Sequence, residues 1–600
     1  MRHAHILKDN KVSDYPQQAI WFDTETEFKT HDETSIYHAL KFGYACYMRL
    51  HRNGVWSDET WIKFTSRTEY WDFVCNRVRD STKLYLFCHN TSFDLPVLDV
   101  FNELPKRGYS LRSAIIDAPP TILRFRSGNK CIMILDTLNI WRMPLKYLGA
   151  EIGLEKLAMP DDNDLGVDWD TYGKRDVEII RDACLKWWKF LADNDYGSFS
   201  PTLAGQAMRV YRHKYMHHKI LIDDNIRALE LTRAGYHGGR CECFRIGKFR
   251  GSFTLLDVNS MYPSVMANRE YPYRLLTHTY YATLIDLKLW LKFYCLTARV
   301  ILRTNKPFVA VRHGLKLLFP IGEFECVLST PEIQYALDNA EILKVLEVAL
   351  YDKGYLFTVM MNDLYLQRIT AKKQGRKVDA FLYRKIMNSF YGKWGQSGGK
   401  WDNEDNIDDL SAKHWMEYDA VANKIIKHRQ LGGLVQIQNS DAESRDSLPV
   451  IAGHITAHAR MELWRLIQLA GMEHVYYCDT DSCLVDSVGS NALLFMCADD
   501  VMGHLSVKGK YDEIQIWGAK DYRFGSIYKT KGVRKDAKWL DDNNVEQLKW
   551  SGLRGIVSSG IVDKPITRTI KKHLNRIYDK GVVLDDGRVL PLTLPLSDVL

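Results

Sequence analysis

The sequence predicts a multidomain chain of α/β and α+β class. Three observations carry this. Six hundred residues exceed what a single hydrophobic core supports, so two to four domains are expected. Over the first 190 residues, short apolar strands alternate with helical stretches. Further along, two separate apolar runs end in carboxylates, GSFTLLD at 251–257 and HVYYCD at 474–479. An apolar content of 46% with 26% charged residues is that of a globular protein.

Taken in order, strands are expected at 19–22, 84–88 and 132–135, then a helix at 177–191. The turn-rich DNDYGSFSP at 193–201 sets a boundary. It divides the chain into a first domain, 1–195, and a second, 196–600. Residues 251–257 form a strand. Residues 370–391 form a helix, with Ala380, Arg384, Asn388 and Tyr391 on one face. A further helix at 452–470 leads into the strand before YCDTDS. Beyond about Tyr528 the chain reads as basic and irregular, ending in a proline-punctuated, strand-like tail at 589–596.

Some classes are disfavoured. The twelve cysteines are dispersed without a CxxC pair, which argues against a paired-thiolate zinc site and suits a reducing cytosol. The start, MRHAHILKDNK, has no apolar signal core. The most apolar long stretch, 283–302, is broken by Asp286, Lys288, Lys292 and Arg299, so no membrane span and a cytoplasmic location are expected. A net charge of +7 permits a nucleic-acid partner. The basic residues cluster at 368–400, where nine Lys and Arg face only Asp379, and again at 529–554.

The carboxylates carry the chemistry. Asp257 opens DVNSMYP; Asp479 and Asp481 stand two apart in YCDTDS. Negative charges so placed are costly unless a cation joins them. Oxygen-only ligands suit Mg²⁺, and a pair of such ions can activate a 3′-hydroxyl and stabilise a leaving pyrophosphate. In RKIMNSFYGKWG, Arg384 and Asn388 share a helix face with Tyr391 and Gly392. A cation there can grip triphosphate oxygens, Tyr391 can stack on a base or sugar, and Gly392 admits a close backbone. Tyr262 can pack under the sugar.

In that order, DVNSMYP, the NSFYG helix and YCDTDS resemble motifs A, B and C of the family B DNA polymerases. The resemblance implies Asp257, Val258 and Asp481 as metal ligands, Asp479 as a further catalytic carboxylate, and Tyr262, Asn388 and Tyr391 as nucleotide contacts. The family's motif B has Lys four residues before the Asn. Here Arg384 holds that position and Lys385 follows one residue late, so both remain candidates for the triphosphate. Ser260 and Gly392 are carried over as DNA contacts. Lys520 and Tyr522, in AKDYRFG, resemble the family's primer-end motif.

WFDTETEF, HNTSFDLP and TYGKRDVEI resemble the three motifs of a DEDD-type 3′–5′ exonuclease. This implies two metals held by Asp23, Glu25, Asp94 and Asp176, with Tyr172 orienting water and Lys156, in EKLAM, near the scissile phosphate. Asn90, Phe93, Thr137, Leu138 and Trp141 would bind single-stranded DNA. The implied architecture is a ribonuclease H-like exonuclease domain followed by a right-hand polymerase of palm, fingers and thumb. AGYHGGR, with Tyr236, Gly238 and Gly239, resembles the Y-x-G-G linker of the compact, protein-primed polymerases of bacteriophages. In that group an insertion at about 277–374 docks a terminal protein, with STPEIQYAL a local match to its start. The fingers helix lies at about 370–392, and a second insertion at about 396–450, a hairpin, encircles DNA and displaces the downstream strand. The thumb covers about 528–600. Implied partners are template-primer DNA, dNTPs, Mg²⁺ (with Mn²⁺ as substitute) and a terminal protein, the chain being a monomer or a heterodimer with it. Alternatives are a family B polymerase using a nucleic-acid primer or none, a repair exonuclease on a polymerase-like scaffold, and a non-catalytic nucleic-acid-binding protein.

Overall fold

The computed structural model describes residues 2–32, 35–117, 119–160, 168–398, 400–439 and 443–595. Its largest sheet has ten strands. Gln18–Thr30 pairs antiparallel with Ser35–Arg49 on one side and parallel with Lys83–Cys88 on the other, followed by Lys130–Asp136. Ala19, Ile20, Trp21 and Phe22 are all fully buried, as a strand covered on both faces requires. Trp21 packs 6.0 Å from Trp188 on the helix Trp169–Asp193. On the other face Phe22 lies 5.1 Å from Tyr70 on the helix Arg67–Cys75. The expected strands and the 177–191 helix are present, each longer than the sequence pattern suggested.

The far end of this sheet is built from the C-terminal region. Ile566–His573 pairs antiparallel with Ser35–Arg49, followed by Asn544–Trp550 and Lys538–Trp539. The stretch beyond Tyr528 is therefore not irregular. Its attachment to the first sheet escapes local reading because Ile566–His573 finds its partner strand over 500 positions away, as for His38 and Thr567. Nor does the chain divide cleanly at residue 195. At the start, His5–Ile6 pairs with Leu221–Ile222.

A second, seven-stranded antiparallel sheet runs in the order Cys241–Cys243, Val475–Asp479, Ser482–Asp486, Gly247–Val258, Leu505–Gly518, Asp521–Phe524 and Ile527–Lys529. A third, of five strands, contains Tyr271–Thr279, Cys295–Thr304, Ile321–Ser329 and Glu341–Gly354, and is completed by Thr593–Leu594 of the tail. Residue 596, the end of the expected tail strand, lies outside the described residues.

The helix expected at 370–391 is two helices, Thr358–Lys373 and Lys377–Ser389. They turn at Gly375, whose φ of +72° only glycine adopts at little cost. The region expected as a hairpin is a four-stranded antiparallel sheet, Lys400–Asn406, Lys413–Asp419, Lys424–Leu431 and Leu434–Asn439. It docks on the edge strand Ser110–Ile116 of the first sheet: Asn403 Nδ2 donates to Arg112 O (2.6 Å) and Arg429 to Ala114 O (3.1 Å). Leu431 and Leu434 share a core with Phe101, Leu553 and Val557, so this sheet joins the first domain to the C-terminal region.

One buried ion pair locks the centre. Arg460, on the helix Pro449–Ala470, meets Glu332 at 2.7 Å, with side chains 0% and 2% exposed. The same guanidinium donates to His237 O and Gly238 O, pinning the AGYHGGR segment. Arg460→Met is expected to cost about 3–5 kcal/mol by leaving Glu332 buried and unpaired. Arg460→Met with Glu332→Leu should recover most of that loss in a denaturant titration.

Candidate active sites

The seven-stranded sheet brings the motif carboxylates together. Val475–Asp479 and Ser482–Asp486 form a tight hairpin in which Asp479 pairs with Ser482. Ser482 also pairs with Asp257 on the neighbouring strand, so Asp257 and Asp481 are set side by side. The register is tied by Val258 N donating to Asp481 O (2.7 Å) and Thr480 N to Arg240 O (2.7 Å). Thr480 sits at φ +63°, an outlier for a β-branched residue, and Ser260 at +57°. Strain of this kind persists only where surrounding structure enforces it, and it gathers at functional sites. Gly239 abuts the turn: a Cβ there would lie 2.8 Å from Thr480 Cγ2, so the motif needs glycine for close approach.

Burial, with Asp257 next in weight and Asp479 also contributing, lifts Asp481 to about 6. Burial raises Asp257 as well. Lysines partly compensate. Lys508 Nζ is 3.5 Å from Asp257, delivered by an irregularity in strand pairing, and Lys520 Nζ is 3.3 Å from Asp479. Lys529 stands 3.8 Å from Asp479 on its other oxygen. Tyr522 stacks on Phe524 and packs 5.2 Å from Tyr477.

Tyr262 and Tyr391 stack with centroids 4.4 Å apart, joining the motif A helix Met261–Asn268 to the NSFYG segment. Arg384 and Asn388 are both exposed on one face, whereas Lys385 is half-buried with its ammonium 5.1 Å from the Phe381 ring. Arg368 was seen in the sequence only as part of the basic run; it donates to Ser260 Oγ (3.1 Å) and stands near Arg384. Tyr236 packs so tightly on Gly395 that a Cβ there would clash with its ring. Gly392 is open to close approach, with nothing near its would-be Cβ. Gly238 is likewise unobstructed.

A second cluster lies on the first sheet. Ligand oxygens of Asp23, Glu25 and Asp176 lie within 4.8 Å of one another. Asp94 stands beside Asp23 but outside that triplet; its Oδ1 accepts from Thr24 N (3.1 Å) and Thr24 Oγ1 (2.7 Å). Lys156 is ion-paired with Asp176, its ammonium 4.3 Å from the Tyr172 ring. Burial and neighbouring carboxylates raise Asp23, and burial above all lifts Glu25 and Asp94 to about 7. An oxygen-only donor set short of positive charge fits divalent cations of the Mg²⁺ kind. Asp257 and Asp481 would hold them in one site, and Asp23, Glu25, Asp94 and Asp176 in the other. The ions would supply Lewis acidity to phosphoryl oxygens.

These raised carboxylates predict a pH effect. Glu25 and Asp94 hold protons more tightly folded than unfolded. Their contribution to stability is therefore present near pH 4 and lost as pH rises through about 7. Melting in EDTA should fall between pH 5 and pH 8, and Mg²⁺ should raise the melting temperature more at pH 8 than at pH 5.

Around this cluster, Asn90 has φ +78° and its N–H donates to Asp136 Oδ1 (3.0 Å). Asp136 also accepts from Thr91 and from Leu138 N (2.8 Å), organising both flanking loops. Thr137 is buried, its hydroxyl engaged with His89 and Cys88 O, and Trp141 is 1% exposed in the core. Asn90 is exposed and Phe93 and Leu138 are half-buried. Phe93 packs against His38 (5.1 Å) and Trp550 (5.7 Å). Trp550 arrives on the distant strand Asn544–Trp550 and carries no local signal of this contact.

Residues 154–429 match the family described as DNA polymerase type B, organellar and viral. The match covers a little under half of the chain. A protein of Neurospora intermedia named Probable DNA polymerase is 23% identical over 65% of this chain and 40% of its own length. The DNA-directed DNA polymerase of Enterobacteria phage PRD1 is 27% identical over 42% of this chain and 44% of its own. The chain spans about two-fifths of the length of the curated relatives it matches. Among solved structures, Phi29 DNA polymerase complexed with primer-template DNA and incoming nucleotides superposes with a TM-score of 0.64 at 15% identity, covering 93% of this chain and 100% of that one. This likeness shows a shared multidomain fold. Among the described residues no helix is long and apolar enough to cross a membrane.

Proposed function

We propose that the chain is a DNA-templated DNA polymerase with a separate 3′–5′ proofreading exonuclease, replicating a viral or linear plasmid genome in a host cytoplasm. The observation that carries the reading is the adjacency of Asp257 to Asp481 in the turn of the neighbouring hairpin, with Tyr262, stacked on Tyr391, close to Asp481. In this reading the seven-stranded sheet is the palm, the helix pair either side of Gly375 the fingers, and the C-terminal strands the thumb. The ten-stranded sheet carries the ribonuclease H-like exonuclease.

Arg384 and Arg368 would hold triphosphate oxygens over the backbone at Ser260, while Tyr262 and Tyr391 receive sugar and base. Lys520 and Tyr522 would hold the primer end, and Tyr236 with Gly238 and Gly239 the template. Tyr172 and Lys156 would position water and scissile phosphate in the second site. The folded block at about 277–374 corresponds to the insertion that docks a terminal protein in the group the motifs resemble, which supports protein-primed initiation. The sheet at 400–439 packs on both the edge strand Ser110–Ile116 and the C-terminal region, a position that suits a strand-displacing insertion.

A primed template offered one dNTP at a time with Mg²⁺ tests the reading. Extension only by the nucleotide complementary to the template is expected; extension regardless of template would overturn it. Arg384→Ala should raise the KM for dNTP about 10-fold or more, as loss of a charge-assisted hydrogen bond implies. Lys385→Ala should change it less than about 3-fold, because a half-buried ammonium over Phe381 is poorly placed to reach the triphosphate.

A further inference from the structure

The strand Leu505–Gly518 lies beside Gly247–Val258 and carries an extra residue where it passes the carboxylates of the seven-stranded sheet. Leu256 pairs with Val507 but Leu255 with Gly509, so Lys508 stands between them without a partner. An unpaired residue of this kind bends the strand and re-aims its side chain. Local packing holds the irregularity in place. A Cβ on Gly509 would clash with the Tyr511 hydroxyl, so only glycine lets that ring lie against the backbone there.

The side chain so re-aimed meets the carboxylates. Lys508 Nζ is 3.5 Å from Asp257 Oδ1, and its charge also bears on Asp481. Lys520 and Lys529 both turn to Asp479 instead. Among the described residues, no other Lys or Arg stands within ion-pair distance of Asp257 or Asp481. Two features suit Lys508 to a place that another cation can take. Its side chain is 47% exposed, so the ammonium can return to water with little penalty. Its stem is flexible and its head is a compact point charge. Lys156 in the nuclease cluster differs, being 21% exposed and set over the Tyr172 ring.

We propose that Lys508 keeps the place of a divalent cation on Asp257 and Asp481, and thereby sets how tightly the resting site binds one. The proposal rests on the reading that these two aspartates hold the cations of a polymerase. Two carboxylates and one ammonium leave a single net negative charge, a weak attraction for a divalent ion. An ion entering beside the ammonium is repelled by it until the lysine swings out into water. The negative charge of a bound triphosphate shifts that balance toward the ion. Lys508 acts through Asp257, as a positioning residue, and needs no contact with substrate.

The test measures Mn²⁺ binding by electron paramagnetic resonance, without DNA or nucleotide. Asp23→Ala with Glu25→Ala serves as the background, which removes two ligands of the nuclease cluster. Adding Lys508→Met should tighten Mn²⁺ binding about 10-fold, the size expected of one partly exposed ammonium facing a divalent ion at this range. Lys508→Arg keeps the charge and should stay within about 2-fold of the background. A lysine that only supports the bulge would lower the melting temperature in EDTA and leave Mn²⁺ binding alone. Unchanged or weaker binding in Lys508→Met would therefore overturn the proposal, as would equal tightening in Lys508→Arg. Should Lys508→Met melt early, Lys508→Gln removes the same charge and carries the same expectation. Asp257→Ala in the same background tests the underlying reading by itself. If it fails to weaken Mn²⁺ binding, the cation site is misassigned and the proposal falls with it, whatever Lys508 does.

Discussion

Asp257→Ala or Asp481→Ala should lower nucleotide incorporation by about 10³-fold or more while leaving 3′-end degradation intact. The size follows from losing a cation ligand where charge develops, several kcal/mol of transition-state stabilisation. The separation follows from the fold. Asp257 and Asp481 belong to the seven-stranded sheet, whereas Asp23, Glu25 and Asp176 belong to the ten-stranded one. Asp481 is already raised to about 6 by burial and by Asp257, so without a divalent cation the pair cannot both ionise cheaply. Lys508 and Lys520 supply that charge only in part. Single-turnover extension of a labelled primer measures the effect. Incorporation at the wild-type rate in Asp257→Ala would end the polymerase reading.

The second large effect is the mirror of the first. Asp23→Ala with Glu25→Ala should abolish shortening of a labelled 3′ end and leave extension unchanged. These two carboxylates stand two apart on Gln18–Thr30, and Asp176 reaches them from the helix Trp169–Asp193. The double change empties two of the three converging ligands and leaves Lys156 paired with Asp176. Neither residue reaches the core that holds the sheet, so loss of activity should come without a large fall in melting temperature. A 3′-labelled strand that still shortens at the wild-type rate would refute the assignment.

Much of this was legible in the sequence because the motifs are local. A carboxylate at a strand end, with its partner two residues on, announces itself in YCDTDS and in WFDTETEF, and the structure sets Asp257 beside Asp481 and Asp23 beside Glu25. Helix periodicity placed Arg384 and Asn388 on one face, and both are exposed there. Gly375 lay unread inside the supposed long helix, although its φ of +72° divides it. What pattern could not supply was pairing at a distance. Ile566–His573 joins Ser35–Arg49, and Trp550 reaches Phe93, through contacts that no local window contains. The stretch at about 396–450 is expected as a hairpin only from its place and length between the NSFYG helix and YCDTDS, which carry no count of strands, and residues 400–439 form four. Position within a motif does not reveal burial, and Thr137 and Trp141 are each 1% exposed. Arg460 and Glu332 form a buried pair that no local pattern announces, since charge type alone does not tell burial.

The most direct test uses a single-stranded DNA circle bearing one 5′-labelled primer, with Mg²⁺, all four dNTPs and no helper protein. On the proposed reading the sheet at 400–439 displaces the downstream strand, and the account then predicts products longer than one circuit. A primer that only shortens would contradict it and leave a nuclease on a polymerase-like scaffold.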